Sequence, residues 1–276
     1  MHTLICSDGS PAAEQSAYLI ACLNYPAGTQ ITLLGVSESD GDQVLLNASF
    51  ERIRAILKGQ DFIIQQKIHT GQPADQILQE VKEIPYDLAS IGTSGHLRGF
   101  KGLKFGSTGQ KLARFMTTPL LVARQVPQQL NRVLICTGAE MPSLETLRLG
   151  GKLISNIWGE IVVLHVMSQV ALSLESPSDD LVDTANSAIQ RGTREGQHLK
   201  QALDLLRKAG VPGEVKPLLR HGLVVREVLT EINEGGYQLL IIGGHYHHGR
   251  SHWTEMLLED LAGQLLQKAP CSVLII

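Results

Sequence analysis

The first half of the chain is repeated in the second. Leu4-Ile5-Cys6 matches Leu134-Ile135-Cys136 at an offset of 130, and Leu33-Leu34-Gly35-Val36 matches Val163-Leu164-His165-Val166 at the same offset. Pro11 matches Pro142 at 131. Further on, Tyr86-Asp87-Leu88-Ala89-Ser90-Ile91-Gly92 matches Tyr237-Gln238-Leu239-Leu240-Ile241-Ile242-Gly243 at 151. Leu120-Leu121-Val122 then matches Val273-Leu274-Ile275 at 153. An insertion produces such growth, and most of it falls between Val166 and Tyr237. A longer helix is expected there, from about Ser178 to Ala209, stopped by Gly210 and Pro212. The 276 residues are enough for two domains. The polar joint Gln125-Val126-Pro127-Gln128-Gln129 divides them into residues 1–126 and 127–276.

Within the first repeat, short apolar runs alternate with helical patterns. Strands are expected at Leu4–Cys6, Gln30–Val36, Phe62–Ile68, Asp87–Ile91 and Pro119–Ala123. Between them, helices are expected from Pro11 to about Leu23, near Ala48 to Lys58, from Pro73 to about Val81 and from Ser107 to Met116. Ser10 is placed to cap the first helix, with Pro11 at its first position. Strands alternating with helices imply an α/β fold, doubly wound, with a parallel sheet and helices on both faces.

Between the fourth strand and fourth helix lies Gly92-Thr93-Ser94-Gly95, continuing to Gly106-Ser107-Thr108. A strand, a glycine-rich loop and a helix start, in that order, form an anion cradle. Glycine lets the backbone approach a phosphate closely. The free N–H groups of the first helical turn point at it, and the helix dipole there favours negative charge. Ser107 and Thr108 add hydroxyl donors. In a doubly wound sheet, ligands sit at the carboxyl ends of the strands where the strand order reverses. Asp8 would then face the same crevice, where its carboxylate could accept hydrogen bonds from a ribose or a base. The backbone of Val36 could read a base edge. The plainer readings are a turn residue for Asp8 in Asp-Gly-Ser and core for Val36. Arg98, Lys101, Lys104 and Lys111 either steer phosphates or face solvent.

The second repeat has lost these groups. Asp8 corresponds to Thr137 or Gly138, Gly95 to Tyr246, and Gly106-Ser107 to Glu259-Asp260, whose carboxylates would repel a phosphate. One phosphate site per chain is expected, in the first repeat. His245, His247, His248 and His252 crowd the second loop. Imidazoles so dense can bind zinc, nickel or copper. Their spacing fits no ordered metal motif, and solvated loop histidines are the plainer reading. No full P-loop, nucleophile elbow or paired-cysteine zinc pattern occurs.

The net charge of −3 supplies no field for nucleic acid, and an aromatic content of 4% leaves few stacking platforms for single strands. No apolar run approaches the ~18 residues of a membrane span. The N-terminus does not read as a signal peptide. Cys6, Cys22, Cys136 and Cys271 have no metal-ligand spacing and read as reduced thiols of a cytoplasmic protein.

These residues together resemble the universal stress protein family, in a tandem form with two such domains in one chain. The signs are Leu4-Ile5-Cys6-Ser7-Asp8-Gly9-Ser10, Gly71-Gln72-Pro73-Ala74-Asp75-Gln76-Ile77, and Gly92-x2-Gly95-x10-Gly106-Ser107-Thr108. In the second repeat they are Gly243, Gly249-Arg250-Ser251 and the closing Ala269-Pro270-Cys271-Ser272-Val273-Leu274-Ile275-Ile276. Nucleotide-binding members carry Gly-x2-Gly-x9-Gly-Ser/Thr, and this chain has one residue more in the second gap. The resemblance implies a five-stranded parallel sheet per domain, in the order 3-2-1-4-5. It implies pairing through the last strands, here Leu120 to Ala123 with Val273 to Ile276, as a pseudo-dimer open to further dimerisation. It implies an adenine nucleotide (ATP, ADP or AMP, with Mg as a companion ion). Asp8 and Val36 would hold the adenosine, and Gly92, Gly95, Gly106, Ser107 and Thr108 the ribose and phosphates. The expected role is a stress-response protein acting by binding, toward a protein partner the sequence does not name. Two alternatives stand beside it. One is a slow ATP-hydrolysing or phosphate-transferring enzyme, with Asp8 or His96 as base. The other is a scaffold that binds no nucleotide.

Overall fold

The structure, a computed structural model, describes residues 1–39, 41–93, 106–138, 142–167, 184–244 and 261–276. The chain begins with β1 (His2–Ser7), α1 (Pro11–Cys22), β2 (Thr29–Ser37), α2 (Asp42–Ile56), β3 (Phe62–Thr70), α3 (Pro73–Glu83), β4 (Leu88–Gly92), α4 (Ser107–Phe115) and β5 (Leu120–Ala123). These strands are parallel and ordered β3-β2-β1-β4-β5, the order expected of the first repeat. β1 is central, with Leu4 and Ile5 fully buried.

Local chemistry sets the helix starts. α1 begins at Pro11, and the side chain of Ser10 makes no capping bond; its Oγ is buried without a partner. The N–H of Ser10 instead donates to Asp8 Oδ1 at 3.0 Å. α2 begins at Asp42, earlier than the apolar pattern from Ala48, because Asp42 Oδ2 accepts from the N–H groups of Glu38 and Ser39 at 2.9 and 2.8 Å. Those bonds hold the Asp42 carboxyl below its usual pKa.

The second compact unit spans Leu130–Gly243. It contains β6 (Arg132–Cys136), α5 (Pro142–Leu153), β7 (Glu160–Met167), α6 (Ala185–Arg191), α7 (Arg194–Lys208), β8 (Glu214–His221), α8 (Val224–Gly235) and β9 (Leu239–Ile242). Its parallel strands run β9-β6-β7-β8. The single long helix expected before Gly210 is two helices. Gly192, at φ 68°, ends α6 in the left-handed conformation, and Thr193 Oγ1 caps α7 by accepting from Gly196 N–H at 3.1 Å. At Gly196 a Cβ would overlap the Ala188 carbonyl, so the two helices meet where only glycine fits.

A helix over 261–268, α9, and the strand β10 (Ser272–Ile275) end the chain. They belong to the first compact unit, Met1–Gln129 with Gly244–Ile276. β10 runs antiparallel to β5, with Val273 opposite Val122 and Ile275 opposite Leu120. The pairing expected of the two last strands is present, and it covers the β5 edge. All four cysteines are free thiols.

One buried network occurs in both repeats. Glu80, 2% exposed, accepts from Tyr86 O–H at 2.6 Å and from Lys67 Nζ at 2.7 Å. At an offset of 151, Glu231 accepts from Tyr237 O–H at 2.6 Å and from Arg220 Nη2 at 2.5 Å. Burial alone would raise the Glu80 pKa, but the Lys67 and Tyr86 bonds outweigh it and hold the carboxyl below its usual value. Its contribution to stability is therefore complete above the unfolded carboxylate pKa and is lost as pH falls through the lower folded value. Tyr86→Phe leaves a buried carboxylate short of a donor. It should cost about 1–3 kcal/mol in urea unfolding, and Tyr237→Phe a similar amount in the second unit.

Candidate functional site

The order of strands reverses beside β1, between β2 on one side and β4 on the other. Asp8 follows the carboxyl end of β1, Val36 lies near that of β2 and Gly92 closes β4. These three residues therefore share one edge of the sheet. α4 leads from that edge back to the start of β5, so its N-terminus faces the same edge. Gly106, Ser107 and Thr108 are brought to it in this way. Gly95 and His96 lie outside the described residues, as do Arg98, Lys101 and Lys104.

Each residue arrives with a distinct environment. Asp8 is exposed, and one carboxylate oxygen is engaged by Ser10 N–H, so the turn role read from Asp-Gly-Ser is realised. Beneath it, Ser7 Oγ pairs with Ser49 Oγ at 2.8 Å and accepts from Gly9 N–H at 3.0 Å. Gly9 itself needs glycine, at φ 81° and close against Leu45. The side chain of Val36 is buried. Its backbone lies one residue past the last β1–β2 pair, Ser7 with Gly35, and pairs with His69 of β3.

The two described glycines of the loop motif differ physically. A Cβ on Gly92 would overlap the Ala12 carbonyl oxygen and stand 2.5 Å from its carbon and 2.9 Å from Ala13 Cα. Gly92 is glycine because β4 runs into the first turn of α1. At Gly106 a Cβ would meet no described residue within 4 Å. Gly106 is the exposed N-cap of α4, which has no side-chain cap and no acidic residue in its first turn. The first helical bond is Gln110 N–H to Gly106 O at 3.0 Å. The N–H groups of Ser107, Thr108 and Gly109 have no helical acceptor. This donor set, with the exposed hydroxyl of Ser107, fits an anionic oxygen. Lys111 pairs with Asp75 of α3 at 2.5 Å.

Two constellations escaped sequence reasoning. Arg124, 3% exposed, follows β5 and reaches both Thr93, the residue after Gly92, and the end of α9. Burial pulls its pKa below the usual arginine value, and it remains charged. A charged residue closing an otherwise apolar strand was the available signal.

In the second unit, His165 Nδ1 donates to Thr137 O at 2.9 Å, and His198 Nε2 lies 2.9 Å from Thr137 Oγ1. The two rings are 5.6 Å apart. At the offset of 130, Thr137 corresponds to Ser7 and His165 to Gly35. At Gly35 a Cβ would press on Leu46 and Phe50 at 3.0 Å, so α2 excludes a side chain there. In the second unit that position carries an imidazole facing α7 instead. The match of Leu164-His165 with Leu34-Gly35 signalled it.

Among the described residues, no group of three or more His, Cys, Asp or Glu could hold a metal ion. His245, His247, His248 and His252 lie outside them. No helix of the described residues is long and apolar enough to cross a membrane. A cavity of about 440 Å³, lined by Arg148, Lys200, Asp204, Leu205 and Lys208 among others, lies on α5 and α7, and none of these lining residues belongs to the candidate site.

The sequence matches the family model described as the universal stress protein family over residues 1–124 and again over 129–276. Among solved structures, a universal stress protein from Archaeoglobus fulgidus DSM 4304 is 16% identical with a TM-score of 0.67, over 99% of this chain and 97% of that one. A protein of unknown function from Pseudomonas aeruginosa PAO1 is 15% identical with a TM-score of 0.64, over 100% and 92%. The cytoplasmic domain of a prokaryotic cation chloride cotransporter is 13% identical with a TM-score of 0.54, over 99% and 94%. At these identities the likenesses bear on the fold alone. A search of curated proteins finds no match.

Proposed function

The chain belongs to the universal stress protein family, with one family match in each half, and on that premise we propose that it binds an adenine nucleotide in the crevice of the first repeat. The observation that carries this is the N-terminus of α4, which has no side-chain cap among the described residues and no described neighbour within 4 Å of a Cβ at Gly106. Ser107, Thr108 and the free N–H groups beside them take the phosphates, with Gly92 and Gly95 completing the loop. Asp8 and the Val36 backbone hold the adenosine, and Mg accompanies a triphosphate. The protein acts in stress response as a cytoplasmic regulatory binding module, and the bound nucleotide changes the surface offered to a protein partner. Residues 1–126 form the binding domain, and residues 127–276 a second domain without a phosphate site.

Mass spectrometry of small molecules released from freshly purified, denatured protein should find ATP, ADP or AMP at close to one per chain. Calorimetric titration should then show ATP affinity falling at least about tenfold in Gly106→Glu, because a carboxylate there repels the phosphate at close range. Thermal unfolding of the variant serves as the check on folding, since the added side chain meets no described residue. Unchanged affinity in a folded Gly106→Glu protein would refute the site.

A further inference from the structure

Arg124 ties the end of the chain to the edge of the crevice. Its Nη1 donates to Ala269 O at 2.8 Å and its Nη2 to Leu266 O at 2.5 Å, both at the carboxyl end of α9. A cation is favoured there by the helix dipole and by the unsatisfied carbonyls. Its Nε donates to Thr93 Oγ1 at 3.2 Å. The backbone of Arg124 is gripped as well: its N–H donates to Ser272 Oγ, and its carbonyl accepts from the same hydroxyl, each at 3.0 Å. Thr93 is held from a second side, its N–H donating to Ala123 O at 3.0 Å. It directly follows Gly92, which is itself wedged against Ala12.

A guanidinium is a rigid planar fork, so three acceptors in fixed directions set one geometry. The three here belong to α9 and to the residue after β4. α9 and β10 come from the second repeat, and Gly92 from the candidate site of the first. A displacement at the β5–β10 seam can thus reach Thr93 by two routes, through the buried Arg124 side chain and through the bond of Thr93 N–H to Ala123 O of β5.

We propose that Arg124 is a positioning residue for the Gly92–Thr93 edge of the nucleotide crevice, and that it couples nucleotide binding to the β5–β10 seam. This rests on the nucleotide reading above. The coupling is reciprocal: nucleotide that steadies Thr93 steadies the seam, and a loosened seam weakens the nucleotide.

The test uses the full chain with Mg-ATP as probe. Thr93→Val removes the hydroxyl that accepts from Nε and donates to Ala123 O at 3.4 Å, and leaves in place the Thr93 N–H bond to Ala123 O and the Arg124 bonds to Leu266, Ala269 and Ser272. ATP affinity should fall about five- to tenfold, with the thermal midpoint nearly unchanged. Saturating ATP should slow amide exchange over 120–123 and 272–275 in the wild type, and should do so much less in Thr93→Val. Arg124→Lys keeps the charge and loses the fork, so it should lower both affinity and stability. Equal affinity and equal seam protection in wild type and Thr93→Val would overturn this coupling alone. A wild type that binds no ATP, ADP or AMP would overturn the nucleotide reading and the coupling with it.

Discussion

Gly92→Ala should destabilise the first unit by about 3 kcal/mol, the upper range for overpacking a filled site. The methyl group has no flexible neighbour to displace. It would overlap the Ala12 carbonyl and crowd Ala13 Cα, all backbone. α1 cannot back away cheaply, because Ala17, Leu19 and Ile20 on the same helix are fully or almost fully buried. β4 cannot shift either, being paired with β1 on one side and β5 on the other. Gly92 has no positive φ, so the effect comes from contact and not from backbone strain. The second repeat supplies the control. At Gly243, 151 residues on, a Cβ would meet, among the described residues, only Thr146 Oγ1, at 3.1 Å. Gly243→Ala should cost less than about 1 kcal/mol, because one side chain can yield by a few tenths of an ångström. Urea unfolding of the two variants, followed by amide exchange to assign the loss to a unit, measures both. Equal costs would mean that the α1–β4 approach is looser than the structure has it.

The same pair of glycines marks how far the sequence could be read. A glycine after the fourth strand in both repeats was legible from the 151 offset, and so were the strands and their parallel pairing. The reasons for the two glycines were not, since both look alike in a string and only the neighbour across the fold separates them. The pairing of the last strands was legible through the family resemblance. The grip of Arg124 on α9 was not, because it joins residues more than 140 apart through backbone carbonyls that carry no sequence signature. The break between α6 and α7 was written in plain chemistry, Gly192 followed by Thr193, but apolar periodicity on both sides hid it. In the candidate site, the start of α4 was legible from Gly106-Ser107-Thr108. The engagement of Asp8 by Ser10 N–H was legible as the turn reading, and the buried histidines of the second repeat were passed over because an imidazole in an apolar strand has no pattern of its own.

Of those two histidines, His198 should make the second unit sensitive to acid. The His198 pKa is pushed down to about 4, first by burial and then by the nearby His165. The fold supplies no carboxylate to offset this among the causes that act on it. Because a carbonyl only accepts, His165 carries its proton on Nδ1 toward Thr137 O. A group with a folded pKa below its unfolded value favours the unfolded chain wherever only the unfolded form is protonated. The stability of the second unit should therefore be complete above pH about 6.5, fall as pH drops toward 4, and level off below that. The full loss is about 3 kcal/mol, from the size of the shift. Glu80, in the first unit, has a folded pKa below the usual carboxylate value, so its contribution fades in a more acidic window. Amide exchange over β6, β7 and α7 from pH 7.5 to 4 should show the decline while β1 and β2 stay protected. His198→Gln keeps a polar group beside Thr137 and removes the titration, so its second unit should lose the slope. Equal slopes in wild type and variant would place the responsible proton elsewhere. The first repeat thus keeps glycine where α2 excludes a side chain, and the second carries there an imidazole packed against His198, the buried base expected to give way in acid.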